Sequence, residues 1–146
     1  MISFDTHNVE MPALDFQKVD RWLREVVLTY NKRIGNLNYL FCDDEEILRV
    51  NRQFLQHDYF TDIITFDYSA GDRVAGDIFI SLETVASNAE EMQISGEQEL
   101  LRVIAHGLLH LCGIDDKGPG EREIMESHED RALEMFGFKK IVGDAF

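Results

Sequence analysis

Cysteine is scarce in this chain. Cys42 and Cys112 are too few for a disulfide framework, and both read as small buried apolar residues. Nor does any stretch approach the roughly 20 apolar residues that a membrane span needs, so no part of the chain is expected to cross a bilayer. The amino terminus, "MISFDTHNVE", has no charged leader followed by an apolar run, which leads us to expect a soluble, cytoplasmic protein. Basic residues are short as well. Lys and Arg number 14 against 28 Asp and Glu, a formal charge of −14. That balance excludes broad electrostatic attraction to nucleic-acid phosphates and makes any such role local. Internal repeats and low-complexity tracts are lacking too, and no linker divides the chain.

What is present suffices for one core. The 146 residues are 45% apolar and include 10 phenylalanines, which suits a single domain over 1–146. "ISFDTH" alternates like a half-buried strand that leaves His7 in solvent. Phe16, Val19, Leu23, Val26 and Tyr30 make a helical stripe. "NLNYLFC" reads as a strand, and Asp43 with Glu46 has capping-box spacing for a helix that carries Arg49 and Arg52. "TDIITFDY" and "VAGDIFIS" read as a hairpin joined at "SAGDR". Ser81 can cap a short helix to about Gln93, Ser95 with Gln98 the next one to Gly113, and a last helix spans about Gly120 to Phe136. The order suggests an α+β domain, a small mixed sheet packed with about five helices.

The stretch "HGLLHLCGIDDK" carries the chemistry. His106 and His110 lie one above the other on a helix and can turn ring nitrogens to one ion. Leu100, Ile104, Leu108 and Leu111 fall on the opposite side at about 100° per residue. Gly113 is placed to end the helix and let the chain double back, which makes Asp116 the candidate third ligand and its neighbour Asp115 an alternative. The spacing H-x-x-x-H-x-x-G-x-x-D is that of the extended zinc-protease signature with aspartate in the last place. Where that signature has a glutamate base, this chain has Gly107, which speaks against peptide hydrolysis and leaves the site face uncrowded. Cys112 points about 200° away from His110 and reads as core. His128 reads as a partly buried, hydrogen-bonded histidine, and His57 as a loop residue.

"HGLLHLCGIDDK", "NRQFLQHDYFTDIITFDY", "AGDIFIS" and "MESHE" together resemble the YbeY family of single-strand-specific endoribonucleases that mature ribosomal RNA. The resemblance covers roughly residues 38–130. It implies a zincin-like α+β fold and a hydrolase with one zinc ion, processing the 3′ end of small-subunit rRNA in ribosome maturation and quality control. His106 and His110 match two family ligands, and Asp116 stands where the family usually has a third histidine. Leu55 occupies the place of the family's active-site arginine, so Arg52, one helical turn earlier, becomes the candidate catalytic cation, with His57 as an alternative. Phe60 replaces a proline common in the family. The implied mechanism is attack of a metal-activated water on a phosphodiester. Alternatives are a metallopeptidase and a non-enzymatic, metal-stabilised module that binds ribosomal proteins or assembly factors, which the acidic charge suits. The metal itself stays open, because two histidines and a carboxylate also suit iron.

Overall fold

The computed structural model describes residues 1–55 and 61–138, so His57 and Phe60 lie outside the described residues. Among the described residues four strands form, β1 (Ile2–Thr6), β2 (Arg33–Cys42), β3 (Ile63–Asp67) and β4 (Arg73–Ser81). Five helices accompany them: α1 (Phe16–Leu28), α2 (Asp44–Phe54), α3 (Leu82–Met92), α4 (Gly96–Leu111) and α5 (Glu121–Phe136). The sheet order is β1-β2-β4-β3, with β1, β2 and β4 parallel and β3 antiparallel to β4 in the expected hairpin. The mixed sheet and five helices are the expected α+β architecture.

Successive strand residues face opposite sides of a sheet, and here they separate two apolar clusters. On one face Tyr39, Phe41, Ile78 and Ile80 pack with Val19, Leu23, Ile104, Leu108, Met125 and Leu133 from α1, α4 and α5. On the other, Cys42 and Ile64 meet Ile47 and Val50 of α2, with Phe66 and Phe79 against them. Two buried polar tips fasten the larger cluster: Trp22 Nε1 donates to the Ala132 carbonyl at 2.7 Å, and the Tyr39 hydroxyl donates to the Ile104 carbonyl at 2.9 Å.

Helix starts follow the local code. The side chains of Asp43, Ser81 and Ser95 accept from the backbone N–H three residues on, at 2.9, 3.3 and 3.0 Å. Each such cap contributes about 1 kcal/mol. The α1 stripe is buried at Val19, Leu23 and Val26, but the helix ends at Leu28 and Tyr30 lies past it. There its hydroxyl sits 2.7 Å from His128 Nδ1, which also lies 3.1 Å from Arg131, so His128 is partly buried and hydrogen-bonded as expected. Cys42 is buried, and Cys112 is partly buried against the larger cluster.

As expected, the two histidines leave the core face of α4: from Glu99 to Leu111 every residue is buried except Arg102, His106 and His110. The helix runs between the sheet and helices α1, α3 and α5, which cover it on all but one side. One expectation is corrected: Gly107 does not face the site. A Cβ there would stand 3.0 Å from the Cδ1 atoms of Ile63 and Ile78, so glycine lets the helix lie close on the sheet.

Candidate metal centre

Arg102, His106 and His110 are spaced by four, so they form one line along α4, the line that its neighbours leave open. At the end of this line the helix stops in a Schellman motif. The Gly113 N–H donates to the His110 carbonyl at 3.0 Å, and the Ile114 N–H to the Leu109 carbonyl at 3.1 Å. Gly113 has φ +98°, a conformation that suits glycine, and Ile114 packs against the larger cluster. The reversal brings the next two residues back to the helix: donor atoms of His110, Asp115 and Asp116 lie within 4.8 Å of one another. Asp116 Oδ2 is also 3.4 Å from His106 Nε2. Of the sequence-derived donors, Asp116 therefore lies beside both histidines, and Asp115 joins the group.

His106 is held from behind. Its Nδ1–H donates to Glu129 Oε2 of α5 at 2.7 Å, which turns Nε2 toward Asp116. Burial pulls the imidazole pKa down, but the hydrogen bond and charge of Glu129, with Asp116 and Asp62 beyond, leave it raised. Glu129 Oε1 in turn accepts from Arg102 Nη1 at 3.1 Å. Two imidazoles and two carboxylates are a donor set that fits zinc, and one that iron also accepts. A ligating histidine whose second nitrogen is tied to a carboxylate is the usual support for such a site.

His106, His110, Asp116, Arg102 and Glu129 line a cleft of about 510 Å³ together with Thr61–Thr65, Glu99, Lys117, Asn51 of α2 and Leu55 just past its end. Among the described residues, its cations are Arg102 and Lys117. Arg52 is not in its wall. Asn51 and Leu55 share one face of α2, whereas Arg52 is rotated about 100° from Asn51. It lines a separate groove of about 820 Å³ with His7, Asp43, Glu46 and Arg49.

Arg102, Glu99, Asp62 and Glu129 join the site without having been expected from the sequence. A signal existed for Arg102, since the spacing by four between the histidines extends backward to it. Glu129 lies beside His128 in "MESHE" and carries no spacing signal of its own.

Fold and cleft together define an α+β protein built around a histidine helix that can hold a metal ion. The chain matches the family described as Endoribonuclease YbeY over residues 2–137. It is 58% identical to the Endoribonuclease YbeY of Phocaeicola vulgatus over 135 residues, covering 92% of this chain and 98% of that one. Its identity with the Flavobacterium psychrophilum protein of the same name is 43% over 140 residues, covering 96% and 99%. A solution structure from Thermotoga maritima superposes with a TM-score of 0.61 at 27% identity, over 99% of this chain and 91% of the other. The chain belongs to the Endoribonuclease YbeY family. Among the described residues no helix is long and apolar enough to cross a membrane.

Proposed function

We propose that this chain is a metal-dependent endoribonuclease that cuts single-stranded ribosomal RNA, at the 3′ end of the small-subunit species, in ribosome maturation and quality control. Membership of a family whose members carry the name endoribonuclease supports the activity. The observation that carries the metal reading is the meeting of His110, Asp115 and Asp116 beside His106 Nε2. In this reading His106, His110 and Asp116 hold one zinc ion, with Asp115 adjacent.

When bound, the ion lowers the pKa of a coordinated water and polarises a phosphate oxygen. The chain's own residues do the rest. Glu129 keeps the His106 proton on Nδ1, which leaves Nε2 as a donor toward the cleft. Lys117, exposed at the rim, meets a phosphate oxygen of the RNA. Among the described residues β3 pairs only with β4, so its outer edge runs along the cleft at Thr61–Thr65 and offers backbone groups to extended, unpaired nucleotides. The volume of about 510 Å³ suits a ligand the size of a nucleotide or two.

The charge of −14 favours delivery by a partner: basic ribosomal proteins or assembly factors would supply the attraction to RNA that this surface lacks. The peptidase reading loses support because the residue after His106 faces the sheet and has no room for a base. Cleavage of an end-labelled single-stranded RNA tests the proposal. Wild type should cut it, while His110→Ala and chelator-treated protein should not. Metal-loaded wild type that cuts no more than His110→Ala would leave only a binding module.

A further inference from the structure

Arg102 sits among more negative charge than it can neutralise. Its Nη1 lies 3.1 Å from Glu129 Oε1 and 3.5 Å from Asp130 Oδ1, and its Nε lies 3.6 Å from Glu99 Oε1. Glu99 and Glu129 are buried, with side chains 5% and 7% exposed. Arg102 Nε and Glu99 Oε1 are both buried and make no hydrogen bond among the described residues. A buried cluster of this kind is a poor way to stabilise a fold, because removing charges from water costs more than such imperfect pairing returns. Poorly satisfied charge in an otherwise well-packed helix points to a functional constraint.

The constraint is visible in what the guanidinium holds. Glu129 has two oxygens: one takes Arg102 Nη1 and the other takes His106 Nδ1–H at 2.7 Å. Arg102 and His106 are one turn apart on α4, while Glu129 comes from α5. The three side chains thus form a bridge between the helices whose last member turns Nε2 to Asp116 at 3.4 Å. Without the guanidinium, the Glu129 carboxylate would face Glu99 and Asp130 with no cation at that oxygen and would be free to swing from His106.

From this geometry we infer that Arg102 and Glu129 act as one positioning unit: Arg102 fixes the Glu129 carboxylate, and Glu129 fixes the orientation and Nδ1–H tautomer of His106 for the metal. The inference rests on the proposed metal role of His106. Arg102 is a positioning residue, not the cation for the RNA phosphate, because three carboxylates already surround its guanidinium.

The test is Zn²⁺ affinity, measured by competition with a chromophoric chelator, for wild type, Glu129→Gln, Arg102→Gln, Arg102→Lys and the Arg102→Gln/Glu129→Gln double variant. Circular dichroism first confirms that each metal-free variant is folded. Loss of a partner that orients a ligand costs about 10- to 100-fold in metal affinity, the drop expected for Glu129→Gln. Arg102→Gln should weaken binding in the same direction, Arg102→Lys should recover part of the loss, and the double variant should bind no worse than Glu129→Gln alone. Losses that multiply in the double variant, or an Arg102→Gln affinity equal to wild type, would overturn the inference. A second readout covers any variant that folds poorly. In metal-free wild type, at a pH high enough for His106 to be neutral, long-range ¹H–¹⁵N spectra should show its proton on Nδ1, and a neutral ring with the proton on Nε2 would also overturn it. Wild type that takes up no Zn²⁺ defeats the metal reading as well, whereas wild type that binds Zn²⁺ alongside equally competent variants defeats only this inference.

Discussion

Gly107 rides directly on Ile78: a Cβ at the glycine would come within 3.0 Å of the isoleucine Cδ1 and 3.1 Å of its Cγ2. The residue after the first histidine of the site is thus part of the helix–sheet contact. Gly107→Ala should therefore destabilise the protein by up to about 2 kcal/mol. Overpacking costs roughly 1–3 kcal/mol, and better helix propensity offsets about 1. Urea denaturation measures the difference; a stabilised variant would mean that Ile63 and Ile78 give way. Gly107→Glu should not fold, so it should not turn the site into a peptidase.

His110 is only partly buried, and its role in the proposed site is chemical. His110→Ala should leave the metal-free protein within about 1 kcal/mol of wild type. It should abolish stoichiometric zinc uptake, and RNA cleavage should fall at least about 100-fold. Calorimetry and end-labelled RNA report the two effects; retained zinc at wild-type affinity would remove His110 from the donor set.

Asp115 and Asp116 both lie near His110, but among the described residues Asp116 is the one that also stands 3.4 Å from His106 Nε2. Asp116→Asn is expected to lose metal and cleavage together, and Asp115→Asn to weaken metal binding by less than about tenfold, the span of one such interaction at 1.4 kcal/mol. The reverse order, read by metal titration, would hand the ligand role to Asp115.

Lys117 and Arg52 separate by kinetics. Lys117→Ala should raise KM for RNA several-fold in keeping with a lost phosphate contact, and should reduce the salt dependence of binding. Arg52 lies in the neighbouring groove, so Arg52→Ala should leave zinc affinity at the wild-type value, and any loss of cleavage should appear in KM. A fall in kcat alone would bring Arg52 back to the reacting centre.

Glu99 makes stability depend on pH. Burial pushes its carboxyl up to about 7, Arg102 pulling it down and Asp62 and Glu129 pushing it further up. A carboxyl raised on folding favours the folded state while protonated. Its contribution is complete below about pH 4.3 and is lost as pH rises through about 7. Metal-free wild type should therefore lose ground to Glu99→Gln between about pH 5 and 8, by on the order of 1–3 kcal/mol. Chemical denaturation at both pH values measures this, and a difference that stays constant with pH would show that Glu99 is ionised throughout.

Much of the architecture was legible because its determinants are local. Asp43, Ser81 and Ser95 cap the helices where their spacing said they would, and β-branched runs around a glycine turn made the β3–β4 hairpin. Spacing by four on a helix put His106 and His110 on one line, and Gly113 ended that helix in the one conformation that returns the chain to it. Those features depend on a few neighbouring residues, and the sequence by itself determined them.

The support of the site was decided by tertiary structure. Glu129 lies 23 residues from His106 and 27 from Arg102, and nothing in local spacing says that α5 packs with that carboxylate between them. Arg52 looked one turn from the right place, yet the direction in which α2 packs turned Asn51 and Leu55 to the cleft instead. The glycine that looked like open space beside the site is filled by the sheet. Periodicity tells which residues share a face of a helix, but only the packing of other elements decides which face remains open, and here that was the line of Arg102, His106 and His110.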